Sequence, residues 1–248
     1  MKQNIYDHPD FFNGYKELRQ SKCNYNNLLE QPALKVLLPE LNGKKILDIG
    51  CGMGDFASYC IQQGAAHVTG IDISSNMISI ARNNNAHNFI QYIQEALEDI
   101  DLAPLSFDIV NSSLAFHYME DFDAITSKIA NALHENGFLI FSMEHPIATA
   151  RREMDKWIND ENGNHLHYTI DNYQEEGQRS ERWYIDGVIK YHRTLSTIIN
   201  TLISHQLQIE KIIEPLPTEE AIEQLPSLQK EYRRPSFLII KAKKVTLK

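Results

Sequence analysis

Cysteine is scarce in this 248-residue chain: Cys23, Cys51 and Cys60 are the only three, and no two form a C-x-x-C pair. An odd count without metal-ligand spacing excludes a disulfide scaffold and predicts reduced thiols in a cytoplasmic setting. No apolar run approaches the ~18 residues that a membrane-spanning helix needs, and residues 1–7 lack the apolar core of a signal peptide. Positive charge is also short. Lys and Arg number 24 against 33 Asp and Glu, for a net charge of −9. Affinity for a phosphate backbone comes from Lys and Arg displacing counterions, so this balance argues against a nucleic-acid partner. The one basic concentration, Arg233, Arg234, Lys241, Lys243, Lys244 and Lys248, reads as a solvated edge strand guarded by lysines. No repeat, low-complexity segment or metal-binding constellation is present, and His165-Leu166-His167 is too isolated to be one.

What the chain does have is alternation. Its first 40 residues read as a helical cap: Pro9 opens one helix, with Phe11, Phe12, Tyr15 and Leu18 at helical spacing, and a second runs from Leu28 to Leu38. Strands are then expected at 45–49, 67–72, 89–93, 107–112 and 138–143. Helices are expected at 55–63, 75–83 (with Ser74 as N-cap) and 122–133. Strands alternating with helices imply βαβ units and a parallel sheet. From Glu144 to about Ile189 the chain turns polar and aromatic, with Trp157, Tyr168, Tyr173, Trp183 and Tyr184. That is too long for a simple connection, so residues 144–190 are expected to form an insertion or lid. Order resumes with a helix at 193–205 and strands at 208–213 and 235–242. The whole, 1–248, reads as one domain.

The sharpest signal is Ile46-Leu47-Asp48-Ile49-Gly50-Cys51-Gly52-Met53-Gly54, placed between a strand and a helix. Glycines allow a tight turn and close backbone approach to a ligand, and the following helix start favours anions. The spacing is not the G-x-G-x-x-G of a dinucleotide site. Asp48 would repel a pyrophosphate but suits an ammonium group or a bound water. Asp72 closes the second strand, where a carboxylate can accept hydrogen bonds from ribose hydroxyls.

With these residues the chain resembles the class I S-adenosylmethionine-dependent methyltransferases, in particular small-molecule enzymes related to the ubiquinone/menaquinone C-methyltransferases. The resemblance covers roughly residues 43–143 plus the final strand pair. It implies a Rossmann-like, mostly parallel seven-stranded sheet of order 3-2-1-4-5-7-6 with strand 7 antiparallel. It also implies S-adenosylmethionine as cofactor and S-adenosylhomocysteine as product. Gly50, Cys51, Gly52 and Gly54 would form the cofactor turn beside Asp48. Asp72 would sit on the ribose, with Ile73 beside it and Met77 beneath the adenine. Ala96, Leu97 and Glu98 would frame that adenine, and Ser112, on the fourth-strand motif, would face the methyl group. Asn136-Gly137-Phe138 departs mildly from the family's Asn-Gly-Gly turn.

Methyl transfer from a sulfonium is a direct in-line displacement, so positioning can supply much of the catalysis. A base is needed only where the acceptor must lose a proton. His117 after the fourth strand, His145 after the fifth and His192 after the insertion are the candidates. Tyr15 and Arg19, one helical turn apart, could close over the cofactor and pair with its carboxylate. The aromatic insertion suits a small, partly apolar or cationic acceptor, or alternatively a homodimer interface. The rival readings are a cofactor-holding regulatory protein without turnover and, less well matched by the motif, an NAD-binding oxidoreductase.

Overall fold

The computed structural model describes residues 2–102, 106–153 and 156–246. Met1 and Lys248, named above, and residues 154–155 of the expected insertion lie outside them. A 3-10 turn (Ile5–Asp7) precedes α1 (Pro9–Gln20), and a π turn (Asn26–Glu30) leads into α2 (Gln31–Val36). The alternation that follows is β1 (Lys45–Ile49), α3 (Asp55–Gln62), β2 (His67–Asp72), α4 (Ser75–Asn84), β3 (Ile90–Gln94), β4 (Phe107–Ser113), α5 (Phe122–Ala132) and β5 (Leu133–Glu144). Beyond it come α6 (Pro146–Thr149), the hairpin β6 (Trp157–Asn159) and β7 (His165–Tyr168), and the hairpin β8 (Gly177–Trp183) and β9 (Ile185–His192). The chain closes with α7 (Leu195–Ser204), β10 (Leu207–Ile213), α8 (Glu219–Gln224) and β11 (Phe237–Lys244).

Seven strands form one sheet in the order β10-β11-β5-β4-β1-β2-β3. Those from β5 to β3 pair in parallel, and β11 runs antiparallel to both neighbours. This is the expected 3-2-1-4-5-7-6 order. Alternation along each strand splits the core between the two faces. Leu47, Val110, Phe141, Leu238 and Ile240 pack with α5 and α7, while Ile46, Ile109, Ile140 and Ile239 pack with α2, α3 and α4.

Two expectations need correction. The last strand is not a solvated edge: β11 lies between β10 and β5, and two of its lysines, Lys241 and Lys244, are engaged. Lys241 pairs with Glu210 at 3.5 Å, and Lys244 donates to the carbonyls of Ala130 and Leu133. Arg233 donates to His165 O and Leu166 O and lies over Trp157. The insertion is not irregular either, because the aromatic and β-branched residues of 157–192 pair as the two hairpins. Among the described residues no helix is long and apolar enough to cross a membrane.

Candidate functional site

Parallel strands deliver their carboxyl ends to one edge of the sheet, and ligands of such sheets bind there. β1 ends in a turn pinned to β2: Gly50 N–H and Cys51 N–H both donate to Ile71 O, at 2.8 and 3.0 Å. Gly50 and Gly52 have φ of +68° and +53°, values that side chains rarely adopt. A Cβ on Gly50 would come within 2.8 Å of Ala115 Cβ, whereas one on Gly52 would project into open space. That open space is where a ligand can approach the backbone.

Two carboxylates face this turn. Asp72 accepts from Gly52 N–H and Ser74 N–H, each at 2.9 Å, and burial pushes its pKa up. Asp48 accepts from Asn111 Nδ2 at 2.8 Å through Oδ1, while its buried Oδ2 has no partner among the described residues. Burial is the largest influence on Asp48; the Asn111 bond opposes it, the charges of Asp72 and Asp55 add to it, and the carboxyl reaches about 7. A buried carboxylate oxygen without a donor is costly. A cation or donor arriving with a ligand would satisfy it.

Two cavities meet over the turn. The first, about 500 Å³, is lined by Asp48, Cys51, Gly52, Met77, His117, Glu144 and Trp183 together with Tyr15, Arg19 and other residues of the helical cap. The second, about 680 Å³, is lined by Ile71, Ile73, Ala96, Leu97, Glu98, Met119 and Tyr191. Tyr6, Gly50, Asp72, Ala115 and Tyr118 belong to both, so they form the boundary. Each cavity falls within the range of small-molecule and cofactor sites.

Of the expected site residues, most converge here. Arg19 pairs with Asp55 at 3.3 Å, and Tyr15 packs edge-on against Tyr6 and Trp183. Burial, reinforced by Asp48, raises the Cys51 thiol well above its ordinary pKa. Four residues are placed outside both linings. Gly54 caps α3, where a Cβ would strike the Tyr92 ring. Ser112 donates to Ile49 O at 3.1 Å, because on β4 it is the neighbouring Ser113 that faces the cavity. His145 follows Glu144 and turns the other way: Nδ1 accepts from Ile147 N–H and Nε2 meets Glu214 at 2.9 Å. His192 likewise alternates with the lining residue Tyr191. Its Nε2 donates to Tyr173 O, so Nδ1 accepts from the Thr149 hydroxyl, and neither nitrogen is left over. Met77, expected beneath the adenine, lines the first cavity rather than the second; a helical side chain reaches back over the turn before its own Cα.

His117 does line the first cavity. Burial, with the nearby charges of Lys190 and Arg193, outweighs Glu144 and lowers it to about 4. Glu144 N–H donates to its Nδ1 at 3.4 Å, which places the proton of the neutral ring on Nε2. Behind Glu144 lies a buried ion cluster that the sequence did not reveal. Lys190, only 4% exposed, sits 2.5 Å from Glu144 Oε1, is paired also with Glu181, and lies 5.4 Å from the Trp183 ring centroid. Among the described residues no group of His, Cys, Asp or Glu could hold a metal.

The sheet order, the glycine turn and its two carboxylates define the class: a Rossmann-like fold that holds a nucleoside-bearing cofactor across the carboxyl edge. Residues 47–141 match the methyltransferase-domain family model. The S-adenosylmethionine-dependent methyltransferase of Mesorhizobium loti is 39% identical with a TM-score of 0.81, covering 87% of this chain and 97% of that one. A Listeria monocytogenes protein provisionally assigned to the same class is 41% identical with a TM-score of 0.80, covering 88% and 98%. A ubiquinone biosynthesis O-methyltransferase of Neisseria meningitidis is 36% identical over 42% of this chain and 45% of its own length. The chain belongs to the class I S-adenosylmethionine-dependent methyltransferases, whose cofactor is S-adenosylmethionine and whose product is S-adenosylhomocysteine. The residues present fit that cofactor. The unpartnered Asp48 oxygen suits its ammonium group, Asp72 its ribose, and the open face of Gly52 a closely approaching chain.

Proposed function

We propose that the protein methylates a small organic acceptor bound in the first cavity, while the adenosine end of the cofactor lies in the second. The observation that carries this reading is the pair of cavities joined at Gly50, Asp72 and Ala115. The cofactor supplies a methyl already activated on sulfonium. Asp72 accepts from the ribose hydroxyls, Ala96, Leu97 and Ile73 flank the adenine, and Asp48 holds the ammonium group. Tyr6, Tyr15, Tyr118 and Trp183 give the acceptor side an aromatic wall that excludes water and favours an apolar or cationic molecule. Of residues 144–190, the first cavity draws on Glu144 and Trp183, so in this reading the cap at 1–40 supplies more of the acceptor wall than the insertion does.

His117 serves as a neutral hydrogen-bond donor that orients the acceptor rather than as a base, because its Nδ1 is occupied and its pKa of about 4 makes it a weak proton acceptor. His117→Asn should weaken acceptor binding by about 0.5–1.5 kcal/mol and, with cofactor saturating, leave the rate flat between pH 5 and 8. A wild-type pH–rate profile with a step near neutrality that disappears in the variant would overturn this role. The acceptor itself can be sought by incubating pooled metabolites with isotopically labelled cofactor and weighing the products. Label transferred only to protein or RNA would sink the small-molecule reading.

A further inference from the structure

Residues 2–7 form a strap along the second cavity, which Lys2, Gln3, Ile5 and Tyr6 line, and Tyr6 reaches the first cavity as well. Toward the cofactor side, Lys2 pairs with Asp99, and Asn4 Nδ2 donates to Ile73 O at 3.4 Å. Toward the insertion, Gln3 pairs with the backbone of β9, donating to Gly187 O and accepting from Ile189 N–H, both at 2.9 Å. The densest tie is Asp7. It accepts from Ser74 Oγ at 2.6 Å, Ser75 N–H at 3.1 Å, Ser75 Oγ at 3.0 Å and Asn76 N–H at 3.1 Å. Ser74 in turn caps α4 and donates its N–H to Asp72. Immediately before Asp7, Tyr6 lines both cavities and meets Tyr118 edge-on with ring centroids 6.4 Å apart.

We propose that Asp7 is a positioning residue for the transfer: by capping the helix behind Asp72 it clamps Tyr6 against Tyr118 in the wall between the cofactor and acceptor sides. The inference rests on the assignment of the two cavities given above. While the clamp holds, the cofactor cannot leave without displacing Tyr6, and the acceptor wall is complete. When Asp7 lets go, Tyr6 swings with the strap and both sides open together. The same aspartate therefore ties the carboxylate that receives the ribose to the ring that borders the acceptor. Burial pushes the Asp7 carboxyl up, but the bonds from Ser74, Asn76 and Ser75 prevail and hold it at about 2. The clamp is thus closed throughout the physiological range and opens by thermal motion, not by titration.

The test is the rate at which S-adenosylhomocysteine leaves the protein, followed by stopped-flow displacement with excess S-adenosylmethionine. Asp7→Ala should speed release by about tenfold or more, the scale of losing charge-assisted bonds, and Asp7→Asn should recover part of the loss because one accepting oxygen remains. Tyr6→Phe, which keeps the ring, should release close to the wild-type rate, and Tyr6→Ala should match Asp7→Ala. The deciding measurement is the double variant. If Asp7 acts through Tyr6, adding Asp7→Ala to Tyr6→Ala should change release no further. Additive effects would mean that Asp7 merely stabilises α4 and would overturn the proposal, as would an unchanged release rate in Asp7→Ala. An S-adenosylhomocysteine affinity equal in the wild type and in Asp72→Ala would instead overturn the cavity assignment.

Discussion

Asp48 is the residue on which cofactor chemistry and folding energetics collide. Its carboxyl titrates near 7 in the cofactor-free protein, against an ordinary value near 4. Between those limits the folded protein keeps a proton that the unfolded chain has lost, so stability falls as pH rises from about 4 to 7. An ammonium group beside Oδ2 reverses the preference and favours the ionised form. Cofactor uptake at pH 6 should therefore release about one proton, read by calorimetry in buffers of differing ionisation heat. Asp48→Asn should remove that release and weaken binding. No proton release in the wild type would place the ammonium group elsewhere. The motif around Asp48 was legible in the sequence, because spacing and residue type carry it. Its unpartnered oxygen was not, since burial is created by packing from β4.

Hairpin β8–β9 is the element where sequence reading and structure diverge most usefully. A run of polar and aromatic residues announced an insertion, yet only strand pairing reveals which side chains turn inward. Trp183 lines the first cavity, while Tyr184, at φ +59° and 43% exposed, sits on the turn outside it. Trp183→Ala should lower acceptor affinity and leave cofactor affinity nearly unchanged, whereas Tyr184→Ala should change neither. Equal loss in both would mean that the hairpin acts through the cap rather than through the cavity. Lys190, on the same hairpin, balances two carboxylates in the interior. Lys190→Met should cost about 3–5 kcal/mol of stability, because the buried cation that Glu144 and Glu181 share would be removed from a partly buried cluster. Urea denaturation monitored by tryptophan fluorescence measures it, and a loss below about 1 kcal/mol would show that the cluster relaxes into solvent. The histidines teach the same rule. His145 and His192 stand one residue from lining positions: strand alternation turns His192 away, and His145 instead caps α6, accepting from Ile147 N–H.

At the scale of the whole molecule, the two hairpins of the insertion divide the labour unequally. Hairpin β6–β7 packs against Arg233 and Arg234 and lines neither cavity. Replacing residues 156–169 by a short polar linker should leave S-adenosylmethionine affinity within about twofold, well under the 1.4 kcal/mol that a tenfold change represents. Titration calorimetry checks this, and a large loss would show that the outer hairpin braces the site from behind. The alternation of strands and helices and the cofactor turn with Asp48 and Asp72 were legible in the sequence, because each depends on local periodicity or on a short motif, whereas the sheet order was implied by the family resemblance which that motif carries. Tertiary structure alone decided that the lysines Lys241 and Lys244 of β11 would be engaged, by Glu210 and by the carbonyls of Ala130 and Leu133. It alone decided that His117, of three candidate histidines, would reach the cavity, and that residues 2–7 would form a strap along the second cavity, tied through Asp7. Those outcomes depend on contacts between segments far apart in the chain, such as Asp7 with Ser74 or Lys190 with Glu144, and no local pattern encodes which partner a buried charge will meet.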